Sequence, residues 1–471
     1  MSKHAYLTTT LPYVNASPHV GFALEIIQTD AFARYHRLIG KEVFFNFGTD
    51  EHGLKIQRKA KEEGKDPQEY VDEYAAKFDN LKKALNLSYN NFVRTTDEHH
   101  KKAAQEFWKK CLANGDIYKK LYKIKYCVGC ELEKTESELV DGKCPLHPAL
   151  DLELIEEENY FFKFSAYQQK LLDLYKNNPE FVAPDFRLKE IKNFVESDLQ
   201  DFSISRLKEK LPWGVPVPDD PDHVMYVWFD ALINYVSAIG WPDDMEKFEK
   251  WWPVIQFAGK DNLRQQSAMW QAMLMSAGLP TSKQIVIHGF ITSGGQKMSK
   301  SLGNVVDPYE LVEKYGTDAV RYFLLAKVHP FEDSDFTIER FETDYQADLA
   351  NGLGNLVARV AAMAEQNNFS LNKNYSDADA YLPAEDIENY RFDEALSLIW
   401  EQIKKLDILI NKEKLWENTS NKLETLEECA IEIQKIGWYL QPFLPETSEK
   451  ILKQFTGEIK KGESLFPRLN R

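Results

Sequence analysis

The sequence predicts an α/β nucleotide-binding fold, split by a metal-binding insertion and followed by an all-helical half. Three observations predict it. Strand and helix patterns alternate near the start of the chain and again after His223, as a parallel sheet requires. Three of the five cysteines, Cys127, Cys130 and Cys144, fall in one short window between those stretches. Beyond about Asn351 only helical periodicity remains.

The elements follow in order. His4–Thr10 reads as a strand, Val20–Leu38 as a helix, and Lys41–Gly48, rich in Phe and Val, as a second strand. An amphipathic helix over Asp66–Leu85 opens at Asp66-Pro67, an N-cap followed by proline at the first helical position. Near Asp116 the pattern breaks, and about Ile117–Leu152 carries short β-like pieces with Gly, Pro and cysteine. Helical stretches at Phe164–Asn177 and Leu188–Asp198 follow. The α/β pattern returns with strands at His223–Trp228, Val254–Gly259 and Gln284–Thr292, and helices at Phe229–Ala238 and Asn262–Ala277. The last part reads as helices at Leu349–Asn367, Arg391–Asn411, Asn421–Leu440 and Glu446–Gln454, a bundle.

The chain has 471 residues, enough for about three domains. Its 43% apolar fraction supplies ample core, and its aromatic content argues against disorder. The formal charge of −16 argues against nonspecific nucleic-acid or membrane binding; a nucleic-acid partner would need a local basic face. Met1–Tyr13 lacks the pattern of a signal peptide, and no apolar run reaches the ~20 residues that span a bilayer. A cysteine cluster of this kind fits a metal site in a reducing compartment, so a cytoplasmic protein is expected.

Two segments carry phosphate chemistry. Pro18-His19-Val20-Gly21-Phe22 lies where the first strand meets the first helix, whose N-terminus offers free N–H groups to a phosphate. Gly21 lets a nucleotide approach the backbone, and His19 can donate to phosphate oxygens. On its own this segment reads more readily as an ordinary loop with a capping histidine. Lys297-Met298-Ser299-Lys300-Ser301 follows a sheet strand and the turn Gly294-Gly295, and its two lysines can neutralise charge on a triphosphate. A solvated basic loop would not need the glycine turn or that position. The spacing Cys127-x2-Cys130-x13-Cys144-x2-His147 brings two close pairs together as a closed four-ligand zinc site, with Cys111 and Cys429 outside it as core thiols.

Together the two phosphate segments resemble the paired signatures of class I aminoacyl-tRNA synthetases. Thr10-Leu11-Pro12-Tyr13-Val14-Asn15, Asp50-Glu51-His52-Gly53, Tyr226-Val227-Trp228-Phe229-Asp230-Ala231 and Gly259-Lys260-Asp261 narrow the resemblance to methionyl-tRNA synthetases, in the short bacterial form with one zinc knuckle. It runs from about Tyr6 to the C-terminal bundle. It implies a Rossmann-like catalytic domain in two halves, 1–116 and 223–325, a knuckle-bearing connective insertion at 117–222, a connecting segment at 326–350, and a helical anticodon-binding domain at 351–471.

The resemblance implies residue roles. His19, Lys297 and Lys300 would stabilise the transition state, with His19, Gly21, Glu25, Gly259, Asp261, Ile291, Lys297, Ser299 and Lys300 around ATP. Asp50 would bind the α-amino group. Leu11 and Tyr235 would contact the thioether sulfur, with Tyr13, Trp228, Ala231, Leu232, Gln266 and Trp270 completing the methionine pocket. Asn351, Asn355 and Arg359, spaced four apart, and Trp416 would read the anticodon. Structural Zn2+, Mg2+ with ATP, and methionine tRNA, initiator and elongator, are the expected cofactors and partner. A monomer is expected, since the chain ends soon after the bundle.

Four positions depart from the family pattern. Phe22 stands where the first signature ends in a second histidine, Gln265 and Gln266 where an aromatic and a histidine are usual, and Leu415 where proline often precedes the tryptophan. Two alternatives follow: another class I synthetase for a small apolar amino acid, and a non-catalytic zinc-containing RNA-binding protein with decayed motifs. The insertion is too short for the editing domain that several of the former carry.

Overall fold

The structure is a computed structural model, and it describes residues 3–130, 132–134, 138–197, 199–298, 304–371, 375, 383–417 and 422–469. Its centre is a six-stranded parallel sheet. In spatial order the strands are Asn91–Arg94, Glu42–Thr49, His4–Thr8, Val254–Gly259, Gln284–His288 and Val182–Ala183. The chain builds outward from His4–Thr8 in one direction, then returns to its other side with Val254–Gly259. The crevice at the C-terminal ends of these two strands is therefore a topological switch point, the place where open α/β sheets bind ligands.

Both faces of the sheet are buried, which is why its strands are nearly continuous runs of apolar residues. Alternate side chains serve different cores. Leu7, Phe45, Phe257 and Val286 enter one cluster, while Tyr6, Phe44, Ala258 and Ile287 enter the other. The first cluster continues without a break through helix Thr317–Ala326 into helices Asn355–Gln366, Phe392–Lys412 and Lys422–Leu440. The second packs the sheet against helices Glu98–Ala113 and Trp270–Ser276 and the base of the insertion.

Several sequence expectations hold closely. Val20–Leu38 is a helix over those residues, and the Asp66 side chain caps helix Pro67–Asp79 by accepting from the Gln68 N–H. Others need correction. Strand His223–Trp228 ends at Met225 and pairs antiparallel with Ser205–Leu207 outside the main sheet; Val227–Leu232 is helical. Strand Gln284–Thr292 breaks at Gly289-Phe290, and Ile291–Ser293 pairs instead with Ser334–Phe336. A Cβ on Gly289 would lie 2.2 Å from the Glu332 carbonyl carbon, so this crossing needs glycine. The short β-pieces of the insertion are a long hairpin, Ile117–Cys127 with Glu153–Phe162. The insertion also contributes Val182–Ala183 to the edge of the main sheet. In the helical half, Ser370–Leu371 and Gly457–Glu458 form a two-residue ladder that was not expected.

Candidate active site

Two contiguous cavities open at the switch point, of about 340 and 380 Å3. They share Thr10, Pro12, Tyr13, Asn15, Asp261 and Asn262 as a common rim.

The smaller cavity lies at the N-terminus of helix Val20–Leu38. His19 is its extended N-cap, and no acidic residue occupies the first turn, so the positive end of the helix dipole faces the cavity uncancelled. Gly21, Glu25, Gly259, Asp261, Ile291 and Met298 also line it. Phe22, in place of a polar residue, stacks on Phe47 (5.6 Å) and meets Phe78 edge-on (5.4 Å), forming an apolar wall. Glu25 is buried and already engaged. One oxygen accepts from the Thr10 N–H (2.7 Å) and hydroxyl (2.6 Å); the other meets His288 Nε2 (2.9 Å). His288 Nδ1 faces the Gly289 carbonyl at 2.7 Å. Burial works to lower the His288 pKa, yet the Glu25 carboxylate and that carbonyl raise it above its ordinary value. Glu25 thus acts through Thr10 and His288.

The turn Gly294-Gly295 closes a small hairpin whose strands are Ile291–Ser293 and Gln296–Lys297, and both glycines have positive φ. Asp335 pins it, accepting from the Gly295 N–H (2.8 Å) and the Thr292 hydroxyl (2.7 Å). Met298 leads the chain to the cavity edge. Ser299, Lys300 and Ser301 lie outside the described residues, as does the side chain of Lys297.

The larger cavity is lined by Leu11, Tyr13, Asp50, Tyr235, Gln265 and Gln266, and by Trp228, Ala231 and Leu232 from one face of helix Val227–Leu232. The opposite face of that helix carries Asp230, fully buried. Asp230 receives His52 Nδ1 at 2.6 Å and His100 Nε2 at 2.8 Å. Complete burial opposes its ionisation, but the two histidines hold its carboxyl down to about 2. Through His52 this group ties the loop bearing Asp50 to the helix bearing Trp228. On the other side of Asp50, buried Glu51 takes two hydrogen bonds from Arg94 (2.7 and 2.9 Å) and one each from the Thr49 and Thr96 hydroxyls. Trp270 is not on the cavity wall. It is fully buried behind Tyr235, edge-on at 5.8 Å, and stacked on Phe107.

The roof of the larger cavity is the cysteine knuckle. Cys127, Cys130, Cys144 and His147 present ligand atoms all within 4.8 Å of one another. His147 Nδ1 lies 3.8, 3.2 and 4.0 Å from the sulfurs of Cys127, Cys130 and Cys144. A tetrahedral zinc with bonds of about 2.0–2.3 Å sets its ligands roughly 3.5–3.8 Å apart, so the set fits a metal ion. A Cβ on Gly129 would stand 2.5 Å from the His147 ring, so closure of the knuckle depends on glycine there. Gly129, Cys130, Leu146 and His147 face the cavity.

Outside the linings of both cavities, Asn351 is exposed in the π-helical stretch Tyr345–Gly354, and Asn355 and Arg359 follow on helix Asn355–Gln366. The step from Asn351 to Asn355 therefore crosses a change of helix type, whereas Asn355 to Arg359 is one α-turn. Arg359 bridges to helix Phe392–Lys412 through Asp407 (2.7 Å) and Asn411 (3.0 Å). Trp416 is 55% exposed while its neighbour Leu415 is buried.

Sequence reasoning missed His288, Asp230 and His52. One signal for His288 was present: a histidine at the C-terminal end of a sheet strand, just before glycine.

The comparisons agree with this geometry. The family model described as "tRNA synthetases class I (M)" matches residues 5–151 and 150–361. The methionine–tRNA ligase of Thermotoga maritima is 43% identical over 97% of this chain and 76% of its own length. That of Thermosynechococcus vestitus is 42% identical over 100% of this chain and 93% of its own. The solved Mycobacterium tuberculosis methionyl-tRNA synthetase in complex with methionyl-adenylate superposes with a TM-score of 0.92 at 36% identity, covering 99% of this chain and 100% of that one. Its apo form gives 0.83 at 33%.

Proposed function

The chain belongs to the methionyl-tRNA synthetases of class I, and from that premise we propose how its residues divide the work. The enzyme activates methionine with ATP to methionyl-adenylate and then charges tRNA with the amino acid. The observation that carries the assignment of roles is the pair of joined cavities, one at a helix N-terminus and one that sets an apolar wall of Trp228, Ala231 and Leu232 beside the buried carboxylate of Asp50.

ATP occupies the smaller cavity. Its phosphates meet His19 and the N-terminal N–H groups of the first helix, and its ribose meets Asp261 beside Gly259. Ile291 packs near the adenine. Lys297, Ser299 and Lys300 would neutralise charge on the triphosphate. Mg2+ bound with ATP would screen the phosphates further. Methionine occupies the larger cavity, its ammonium on Asp50 and its side chain among Tyr13, Trp228, Ala231, Leu232 and Tyr235, with Leu11 at the sulfur. Trp270 supports Tyr235 from behind. The methionine carboxylate is already a nucleophile at neutral pH, so no general base is needed. It attacks the α-phosphorus in line, the bond to pyrophosphate breaks, and positioning with charge stabilisation supplies most of the acceleration. The 3′-terminal ribose hydroxyl of tRNA then takes the acyl group and AMP leaves.

The four knuckle ligands would hold structural Zn2+, which leaves no open coordination position for substrate. Residues 1–116 and 223–325 form the catalytic domain and 117–222 the insertion. Segment 326–350 connects to the anticodon-binding domain, 351–471. There Asn351, Asn355, Arg359 and Trp416 meet the anticodon of initiator and elongator methionine tRNA. No described helix is long and apolar enough to cross a membrane. A cytoplasmic monomer fits this set of roles.

Amino-acid-dependent ATP–pyrophosphate exchange tests the assignment. Methionine should stimulate exchange well above leucine, isoleucine or cysteine. Lys300→Ala should lower it by roughly 100-fold or more, the scale of one lost transition-state charge contact. Equal stimulation by leucine, or full activity in Lys300→Ala, would overturn it.

A further inference from the structure

One wall of the larger cavity carries a hydrogen-bonded relay that runs in a single direction. It begins at the Ser282 backbone N–H, which donates to Gln271 Oε1 (3.0 Å). A backbone N–H can only donate, so it fixes which end of the Gln271 amide is oxygen. The Gln271 NH2 then donates to Ser282 Oγ (3.1 Å) and to the Gln266 carbonyl (2.8 Å). Having accepted from Gln271, the Ser282 hydroxyl donates to Gln256 Oε1 (2.5 Å). Gln256 Nε2 donates to Gln266 Oε1 (2.9 Å), and Gln266 Nε2 to the Tyr235 hydroxyl oxygen (2.8 Å). At Ser282, whose oxygen could accept twice, the direction is set by its own proton, for which Gln256 Oε1 is the acceptor.

All five side chains are buried. Burying three primary amides is costly unless they are satisfied, and a satisfied network of this kind holds one arrangement rigidly. The π-helical stretch Gln265–Met269 makes room for it by turning Gln266 toward the cavity while its carbonyl meets the Gln271 side chain. The relay delivers an amide donor to the Tyr235 oxygen. That leaves the Tyr235 proton free of the relay, on a hydroxyl at the cavity wall.

We propose that Gln256, Gln266, Gln271 and Ser282 are positioning residues for side-chain selection, holding the Tyr235 hydroxyl as a donor toward the substrate's thioether sulfur. This rests on the cavity being the methionine site. A thioether accepts a weak hydrogen bond and donates none. A donor of fixed polarity therefore distinguishes methionine from norleucine, which fills a similar volume with a methylene in place of sulfur. A reversed relay would present lone pairs to the sulfur and lose that distinction. Gln266 does this with a group that stays neutral across physiological pH.

The test is the ratio of kcat/KM for methionine to that for norleucine in ATP–pyrophosphate exchange. Ser282 is off the cavity wall, so Ser282→Ala breaks the relay at a distance. The ratio should fall about fivefold, the scale of one neutral hydrogen bond. Ser282→Thr, which keeps the hydroxyl, should restore it, and KM for ATP should move less than twofold. An unchanged ratio in folded Ser282→Ala would overturn the proposal. Should that variant not fold, Gln256→Glu decides by the same ratio, since a carboxylate cannot donate to Gln266. Trp228→Ala separates the two levels: if it leaves KM for methionine unchanged, the cavity itself is misassigned. If it raises that KM while the relay variants keep the wild-type ratio, only the relay fails.

Discussion

Asp230 touches no substrate in this account, yet it sets the distance between two groups that do. Its two oxygens hold His52, beside Asp50, and His100, while its helix carries Trp228 on the opposite face. Asp230→Asn should therefore raise KM for methionine and lower stability by about 3 kcal/mol, the scale for breaking a buried charged pair. The histidines depress its folded pKa to about 2. Its contribution is thus fully present above the unfolded value near 4 and is lost as pH falls through 2. Thermal melting should show a constant gap between wild type and Asp230→Asn from pH 8 to 5, narrowing only below pH 4. Asp50 and His19 were legible in the sequence because each sits in a short local motif, whereas Tyr235 was named through the family resemblance. Asp230, His288 and the glutamine relay were not, because their meaning lies in partners remote along the chain: His288 meets Glu25 across 263 positions.

At the scale of elements, helices with a clear apolar face were read almost to the residue, as Val20–Leu38 and Phe392–Lys412 show. The errors fell where β-prone residues are used otherwise. His223–Trp228 has a strand's composition, but its last residues turn into a helix that carries pocket residues on one side and Asp230 on the other. Gln284–Thr292 breaks because the Glu332 backbone crosses it at Gly289. The knuckle was legible from spacing alone, but its place as the cavity roof was not. Because Cys130 and His147 face the cavity, metal removal should act on the amino-acid site first. Chelation or Cys144→Ser should abolish metal content and raise KM for methionine several-fold more than KM for ATP. Metal analysis paired with exchange kinetics checks this; equal shifts in both constants would count against a roof.

The two halves of the molecule are joined by one of its cores, which runs unbroken from the sheet into the last helices, and by a buried charge cluster at their junction. Arg321 is fully buried. It pairs with Asp30 (2.8 Å) and donates to the carbonyls of Leu85, Pro442 and Phe443, binding the catalytic sheet to the last helices. Nearby, Asp318 accepts from the Thr447 N–H (2.6 Å), but burial outweighs that bond and pushes its carboxyl up to about 6. The folded state then holds the proton more tightly than the unfolded chain, so this group makes stability fall as pH rises from about 4 to 7. Asp318→Asn should match wild type near pH 4 and exceed it by on the order of 2 kcal/mol above pH 7, read by denaturant unfolding. The proposed anticodon contacts belong to the same scale. Trp416→Ala should lower kcat/KM for tRNA roughly 10- to 100-fold, the worth of one base–aromatic stack, while leaving methionine-dependent exchange intact.

The central claim is that one adenylate spans the two cavities at the switch point. A crystal structure with a non-hydrolysable methionyl-adenylate analogue tests it most directly. The account predicts the ammonium on Asp50, the sulfur between Leu11 and the Tyr235 hydroxyl, and the ribose on Asp261, with the phosphate toward His19. An analogue with its methionyl side chain outside the wall formed by Trp228 and Tyr235, or with its phosphate turned away from the first helix, would contradict it.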